Sequence, residues 1–218
     1  PGEVGGAEEY AVRTLAAYGR HGPADLRPVI YLSQASLDAH PDLGRAFDVE
    51  VHPGDGRNRL RRILVESTWL ARRTNSMAVH HFGGRIPARS GKPVAVTVHD
   101  LQPLDQPLNF SLIKRRYLGW ALPRSVRRAD LVVAIGDHVG RQVVDRLGVD
   151  PDRVVIVPVG AESVAAGPAD PSDPPTILYP AVTHPHKNHL MLVEAFPRLA
   201  DHHPTARLVL TGGSGTAE

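Results

Sequence analysis

Three short stretches carry side chains that could do chemistry. The first, Val-Ala-Val-Thr-Val-His99-Asp100, sets an imidazole and a carboxylate just past an apolar run over 94–98. If that run is a buried strand, His99 and Asp100 stand at its carboxyl end, the edge where open α/β sheets bind ligands. An imidazole there can share a proton near neutral pH, and an adjacent acid can orient a hydroxyl; the bland alternative is a loop histidine that caps the next segment. The second stretch is Gly5-Gly6-Ala7-Glu8, where a loop becomes a helix. Glycines let a ligand approach the backbone, and the unpaired N–H groups of a first helical turn attract an anion such as a diphosphate. The same residues also read as a plain turn with an acid complementing the helix dipole.

The third stretch is His184-Pro-His186-Lys187-Asn188-His189. Three imidazoles within six residues raise the question of a metal. With no local carboxylate or cysteine, and Pro185 restricting the chain, the spacing argues against one. Lys187 at the mouth of a helix is the better anion ligand, since its ammonium and the helix N-terminus would face the same phosphate. The pairs His80-His81 and His202-His203 read as strand-end and surface residues.

Elements that could position these groups alternate along the chain. Strands are expected over 29–33, 47–51, 77–81, 94–98, 131–135 and 154–157. Most are continuous Val/Ile/Leu/Ala runs, as strands covered on both faces require. Helices are expected over 7–18, with Ala11, Val12, Leu15 and Ala16 on its apolar face, and over 58–73, 110–128 (interrupted near Pro123) and 137–147, stopping at Gly148. Residues 161–175, AESVAAGPADPSDPP, have no periodicity and read as a proline-rich linker. Beyond it lie a strand at 176–179, a helix at 188–200, a strand at 207–210 and then Gly212-Gly213. The fold expected is therefore α/β: a doubly wound, Rossmann-like N-terminal domain over 1–160, the linker, and over 176–218 the first βαβ unit of a second Rossmann-like domain. No strand precedes Gly5 and the second domain stops early, so a piece lacking the first strand and most of the second domain is expected.

Composition narrows the classes. The chain of 218 residues has 25 basic and 23 acidic side chains, is 42% hydrophobic and contains no cysteine. Disorder, disulfides and thiolate chemistry are thereby excluded. No apolar run reaches the ~20 residues of a membrane span and no signal segment is visible, which points to the cytoplasm. Basic residues cluster at Arg57, Arg59, Arg61, Arg62, Arg72 and Arg73, and again at Lys114, Arg115, Arg116, Arg124, Arg127 and Arg128. These are solvated faces or surfaces for peripheral contact with anionic lipid at the inner face of the cell membrane. With 5% aromatic residues and no recognition motif, nucleic acid is not an expected partner.

Taken in order, GGAEEYAVRTL, TVHDLQPL, RADLVVAIGDHVGRQVVDRLGVDPDRVVIVPVGAE, ILYPAVTHPHKNHLMLVEAFPRL and ARLVLTGG resemble the GT-B glycosyltransferases, specifically glycosyltransferase family 4. The resemblance spans essentially the whole chain. It implies an acceptor-binding domain before the linker and the start of a donor-binding domain after it. It further implies sugar transfer from a nucleotide-diphosphate donor to a sugar or lipid-linked hydroxyl acceptor, with retention and without a metal or other cofactor. The PHKNH form looks like that of bacterial mannosyl- and related transferases of cell-surface polysaccharides. By the same resemblance Gly5, Gly6 and Glu8 match the donor-diphosphate loop, His99 with Asp100 the active-site pair, and Lys187 the cation on the leaving diphosphate. An arginine common in the family shortly before the lysine is replaced by Ala181-Val182-Thr183. The family's paired glutamates would fall beyond Glu218, so catalysis is expected of the longer protein. Two other readings share the architecture: a GT-B sugar-nucleotide epimerase, and a sugar-nucleotide-binding module without catalysis.

Overall fold

The computed structural model describes residues 6–52, 66–70, 77–86, 93–160 and 174–213. It divides into two compact units, one running to Leu101 and resuming over Leu118–Val159, the other made of Gln102–Tyr117 and the residues from Gly160 on. The architecture is α/β with parallel sheets, the class expected.

The first unit opens with helix α1 (Gly6–His21), whose Glu8 and Glu9 in the first turn and Arg20 and His21 in the last suit its dipole. Strands β1 (Val29–Ser33) and β2 (Asp48–His52) pair in parallel, Val29 beside Asp48. Between them are two short helices that the apolar pattern does not announce, α2 (Gln34–Ala39) and α3 (Pro41–Ala46). Ser33 caps α2 by accepting from the Ser36 N–H at 3.2 Å, and the His40-Pro41 step separates the pair. Helices of this length have no room for a helical period, which is why sequence reading passes over them.

A second sheet takes β3 (Val79–His81), β4 (Val94–Val98), β5 (Leu131–Ala134) and β6 (Val154–Ile156) in chain order, all parallel. The strand expected from 77 begins at Val79, where the N–H bonds the Pro93 carbonyl at 2.9 Å, and Met77 is left 85% exposed. The core lies here: Val96, Val98, Val132 and Ala134 are buried, with Leu101, Val126 and Val143 against them. Asp130 registers the start of β4 by accepting from the Val94 N–H at 2.7 Å.

Helix α4 (Gln102–Asp105) belongs to the second unit, and α5 (Leu112–Arg128) runs on without a break. The interruption expected at Pro123 does not occur. Proline removes one backbone hydrogen bond, but Ala121, Leu122, Ser125 and Val126 are buried, and the Ser125 hydroxyl accepts from the Ile86 N–H at 3.0 Å. Tertiary packing outweighs the local cost. Helix α6 (Asp137–Leu147) stops where expected, because Gly148 adopts the left-handed conformation (φ 66°) that ends a helix. The second unit adds β7 (Thr176–Pro180), α7 (His189–Ala200) and β8 (Arg207–Thr211), with β7 and β8 parallel. Of the helix expected over 58–73, the described part is a single π-helical turn at Glu66–Leu70; the rest, and residues 161–173 of the linker, lie outside the described residues.

Candidate functional site

Strand β4 delivers His99 and Asp100 to the carboxyl edge of the sheet, as its position predicts, and β3 delivers Phe82 beside them. His99 Nε2 lies 2.9 Å from the Phe82 carbonyl oxygen. Tyr10, from α1, meets the imidazole edge-on, with ring centroids 5.1 Å apart and planes at 88°. Phe82 in turn stacks on His80 at 4.3 Å. His80 Nε2 is 2.8 Å from Oγ1 of the fully buried Thr97, two residues before His99 on β4. The His99 imidazole is thus contacted by Tyr10 of α1 and by Phe82, just past β3. Asp100 is exposed at the same edge and takes part in contacts of its own.

His80 and His81 do not behave as simple strand-end surface residues. Burial lowers the His80 pKa below the ordinary 6.5. His81 is lowered to about 4, chiefly by burial and then by His80 and Arg85, and its Nε2 is shut off from solvent without a hydrogen-bond partner among the described residues. Both rings stay neutral at pH 7, because charging them would require desolvating an imidazolium.

Gly6 is the first residue of α1, and a β-carbon added there would meet no atom of the described residues within 4 Å. Packing among the described residues therefore does not demand a glycine at this position. Gly5 lies outside the described residues. Glu8 is engaged: its Oε1 is 2.9 Å from Nε2 of His40, at the junction of α2 and α3, with both side chains half-buried. The apolar face expected of α1 is also corrected. Tyr10 is its buried residue, whereas Ala16 is exposed. Tyr10, Phe82 and His40 are the participants sequence reading missed. The signal available for Tyr10 was an aromatic one helical turn beyond Gly6, but its partners are remote in sequence.

In the second unit Lys187 closes the turn Pro185–Lys187 between β7 and α7. The turn is pinned from three sides. Tyr179 donates its hydroxyl to the Lys187 carbonyl at 2.8 Å, and His189 Nε2 lies 3.2 Å from the Ala181 carbonyl. The Thr183 N–H bonds the Gly213 carbonyl at 3.2 Å. Asn188 takes a left-handed turn (φ 50°) into α7, leaving Lys187 exposed. Gly212 is required where it stands: its φ is 146°, and a β-carbon would run into the Ala181 carbonyl. His184 and His186 stack on each other 5.5 Å apart, and Asn109 Nδ2 approaches His186 Nδ1 at 3.4 Å. Among the described residues no three His, Cys, Asp or Glu side chains converge on a metal position.

The basic clusters divide. Arg57, Arg59, Arg61, Arg62, Arg72 and Arg73 lie outside the described residues. Arg127 is not a free surface cation, because its Nε donates to the Leu147 carbonyl at the end of α6 at 2.9 Å. Among the described residues no helix is long and apolar enough to cross a membrane.

The model of Glycosyltransferase Family 4 matches residues 4–163, most of the chain and both described sheets of the first unit. The chain belongs to glycosyltransferase family 4. Among curated proteins, this family-4 chain is 31% identical over 152 residues to the D-inositol 3-phosphate glycosyltransferase of Acidothermus cellulolyticus, a match covering 60% of the chain and 33% of the relative. Its fold is shared with the Anabaena protein HepE, solved in complex with UDP and glucose, at a TM-score of 0.63 and 17% identity. That match covers the whole of this chain and 60% of HepE. A glycosyltransferase of Rickettsia africae aligns at a TM-score of 0.51 and 16% identity over 94% of the chain and 64% of that protein. The family-4 chain thus spans about a third of its curated relative and under two thirds of either solved structure. The architecture is that of GT-B glycosyltransferases.

Proposed function

We propose that the protein is a retaining, metal-independent glycosyltransferase that moves a hexose, mannose or a close relative, from a nucleoside-diphosphate sugar to a hydroxyl acceptor in bacterial cell-surface polysaccharide or glycolipid synthesis. The observation that carries the reading is His99, presented at the carboxyl edge of a buried parallel sheet and gripped by Phe82 and Tyr10. The family membership supports transfer chemistry. The UDP and glucose of HepE support a nucleotide-sugar donor, and the curated relative's name supports a polyol-like hydroxyl acceptor.

In the proposed reaction the bond from the anomeric carbon to the diphosphate oxygen breaks while a bond to the acceptor oxygen forms. The acceptor's hydroxyl proton passes to the leaving phosphate. Negative charge grows on that phosphate, and Lys187 on its pinned turn supplies the countercharge, so no metal is needed for this role. Gly6 leaves the first turn of α1 open to the diphosphate. His99 and Asp100 hold sugar and acceptor in register. Cytoplasmic location, with the exposed cations of α5 against an anionic lipid face, belongs to the same reading.

The test is nucleoside-diphosphate release by the full-length protein across a panel of nucleotide-sugars. Release with one donor is expected to fall about 10²–10³-fold in Lys187→Ala, the loss typical of removing one transition-state charge stabiliser. His99→Ala should fall comparably. Tight donor binding without release would replace the transferase reading by a binding module, and absence of binding would refute both.

A further inference from the structure

We propose that Tyr10 is a positioning residue for His99, and that the Phe82 carbonyl selects the tautomer in which His99 meets its substrate, with the proton on Nε2 and Nδ1 accepting a hydrogen bond from a sugar hydroxyl. The last clause rests on the transferase reading; the first two do not.

A carbonyl oxygen only accepts, so the 2.9 Å contact to Phe82 requires Nε2 to donate. A neutral imidazole has a single N–H, and Nδ1 is thereby left with a lone pair. Among the described residues Nδ1 has no hydrogen-bond partner of its own. The carbonyl that makes this choice is itself held in place. The Phe82 ring is stacked on His80 with planes at 25°, and His80 is anchored to Thr97 at 2.8 Å. Both ends of the arrangement rest on β4, two residues apart, so movement of Phe82 relative to the imidazole strains the His80 stack and its part-buried bond to Thr97.

Tyr10 adds a contact from α1. Its ring stands perpendicular to the imidazole at 5.1 Å and 6.2 Å from the Phe82 ring, and the residue is only 9% exposed. No hydrogen bond of its hydroxyl is found among the described residues, so the ring supplies the contact. An edge-on aromatic pair restricts ring rotation through shape and quadrupole. Tyr10 is one helical turn from Gly6 and two residues from Glu8 on α1. A ligand that shifts the start of α1 would shift the support of His99 with it.

The experiment uses the full-length protein labelled with ¹⁵N-histidine, whose long-range ¹H–¹⁵N correlations assign each neutral tautomer. The His99 signal, located by its loss in His99→Ala, is expected in the Nε2–H form in the wild type and in Tyr10→Phe. In Tyr10→Leu, which keeps apolar bulk, the tautomers should mix. Donor turnover should then show kcat lowered about tenfold to a hundredfold with KM little changed, the cost of a misoriented reacting group, and Tyr10→Phe should restore it. An Nδ1–H wild type would overturn the role of Phe82. A folded Tyr10→Leu with wild-type tautomer and kcat would overturn the role of Tyr10. If the wild type turns over no donor, the transferase reading fails, while the tautomer spectra still decide the positioning.

Discussion

Strands β4 and β5 and strands β7 and β8 are written in the same vocabulary, VAVTV and LVVA against TILYP and RLVLT, but their side chains meet different surroundings. Val96 at the centre of the first pair is 0% exposed, whereas Leu178 on β7 is 59% exposed and Leu190 on α7 is 74% exposed. Each strand of the first pair has a neighbour on both sides, and helices α5 and α6 contribute buried residues to the same core. The second pair is a two-stranded sheet, and no described residue of its unit is buried. A single βαβ unit has too little surface to cover both faces of its sheet. The same difference separates the two candidate site residues. His99 takes its order from a packed core, with aromatic rings holding it, while the Lys187 turn takes its order from a few hydrogen bonds to backbone carbonyls.

That contrast can be broken by removing side chains of equal size. Leu101→Ala empties a fully buried site and should cost about 2–5 kcal/mol. Leu190→Ala, on the exposed helix, should stay within about 0.5 kcal/mol. Urea midpoints of the two variants measure the difference, and equal losses would erase the distinction between the units.

Acid should act on the first unit before the second. His81 has a folded pKa of about 4 against an ordinary 6.5. As pH falls the unfolded chain binds the proton first, so the stabilisation is complete above the unfolded value and is lost progressively between 6.5 and 4. The lowering corresponds to a loss on the order of 3 kcal/mol by the bottom of that window. Urea midpoints measured from neutral pH down to pH ~4 should trace this fall, and His81→Gln should flatten it. A wild type and variant with the same pH slope would contradict the burial of the Nε2 atom.

The smallest expected effect is local. Tyr179→Phe deletes the hydroxyl that donates to the Lys187 carbonyl. At this exposed position the loss should lie near the lower end of about 0.5–1.5 kcal/mol. Faster amide exchange confined to the turn 184–188, with β4 and β5 unaffected, is the expected signature.

Much of the fold was readable because its signals are local. The largely apolar runs at 29–33 and 94–98 became strands of those bounds, and the helix at 137–147 ended on a glycine suited to left-handed φ. Where the reading failed, distant residues decided. Pro123 sits in an unbroken helix because Leu122 and Val126 are buried beside it. His80 and His81 look like polar strand-end residues until β4 is set alongside and Thr97 and Val96 become their neighbours. Glu8 looks like a free first-turn acid until α2 and α3, too short to announce themselves, carry His40 to it.

From the sequence alone came the α/β alternation and the placing of His99, Asp100 and Lys187 just beyond strands, since strand periodicity and turn chemistry act over a few residues. Only the tertiary structure decided which nitrogen of His99 faces a carbonyl, which ring steadies it, and which of two similar strand pairs acquires a core. Residues 10, 82 and 99 meet once parallel strands are in register and α1 is packed against them. Nothing in the local propensities of three positions so far apart encodes that meeting; it arises from the burial that brings the strands together.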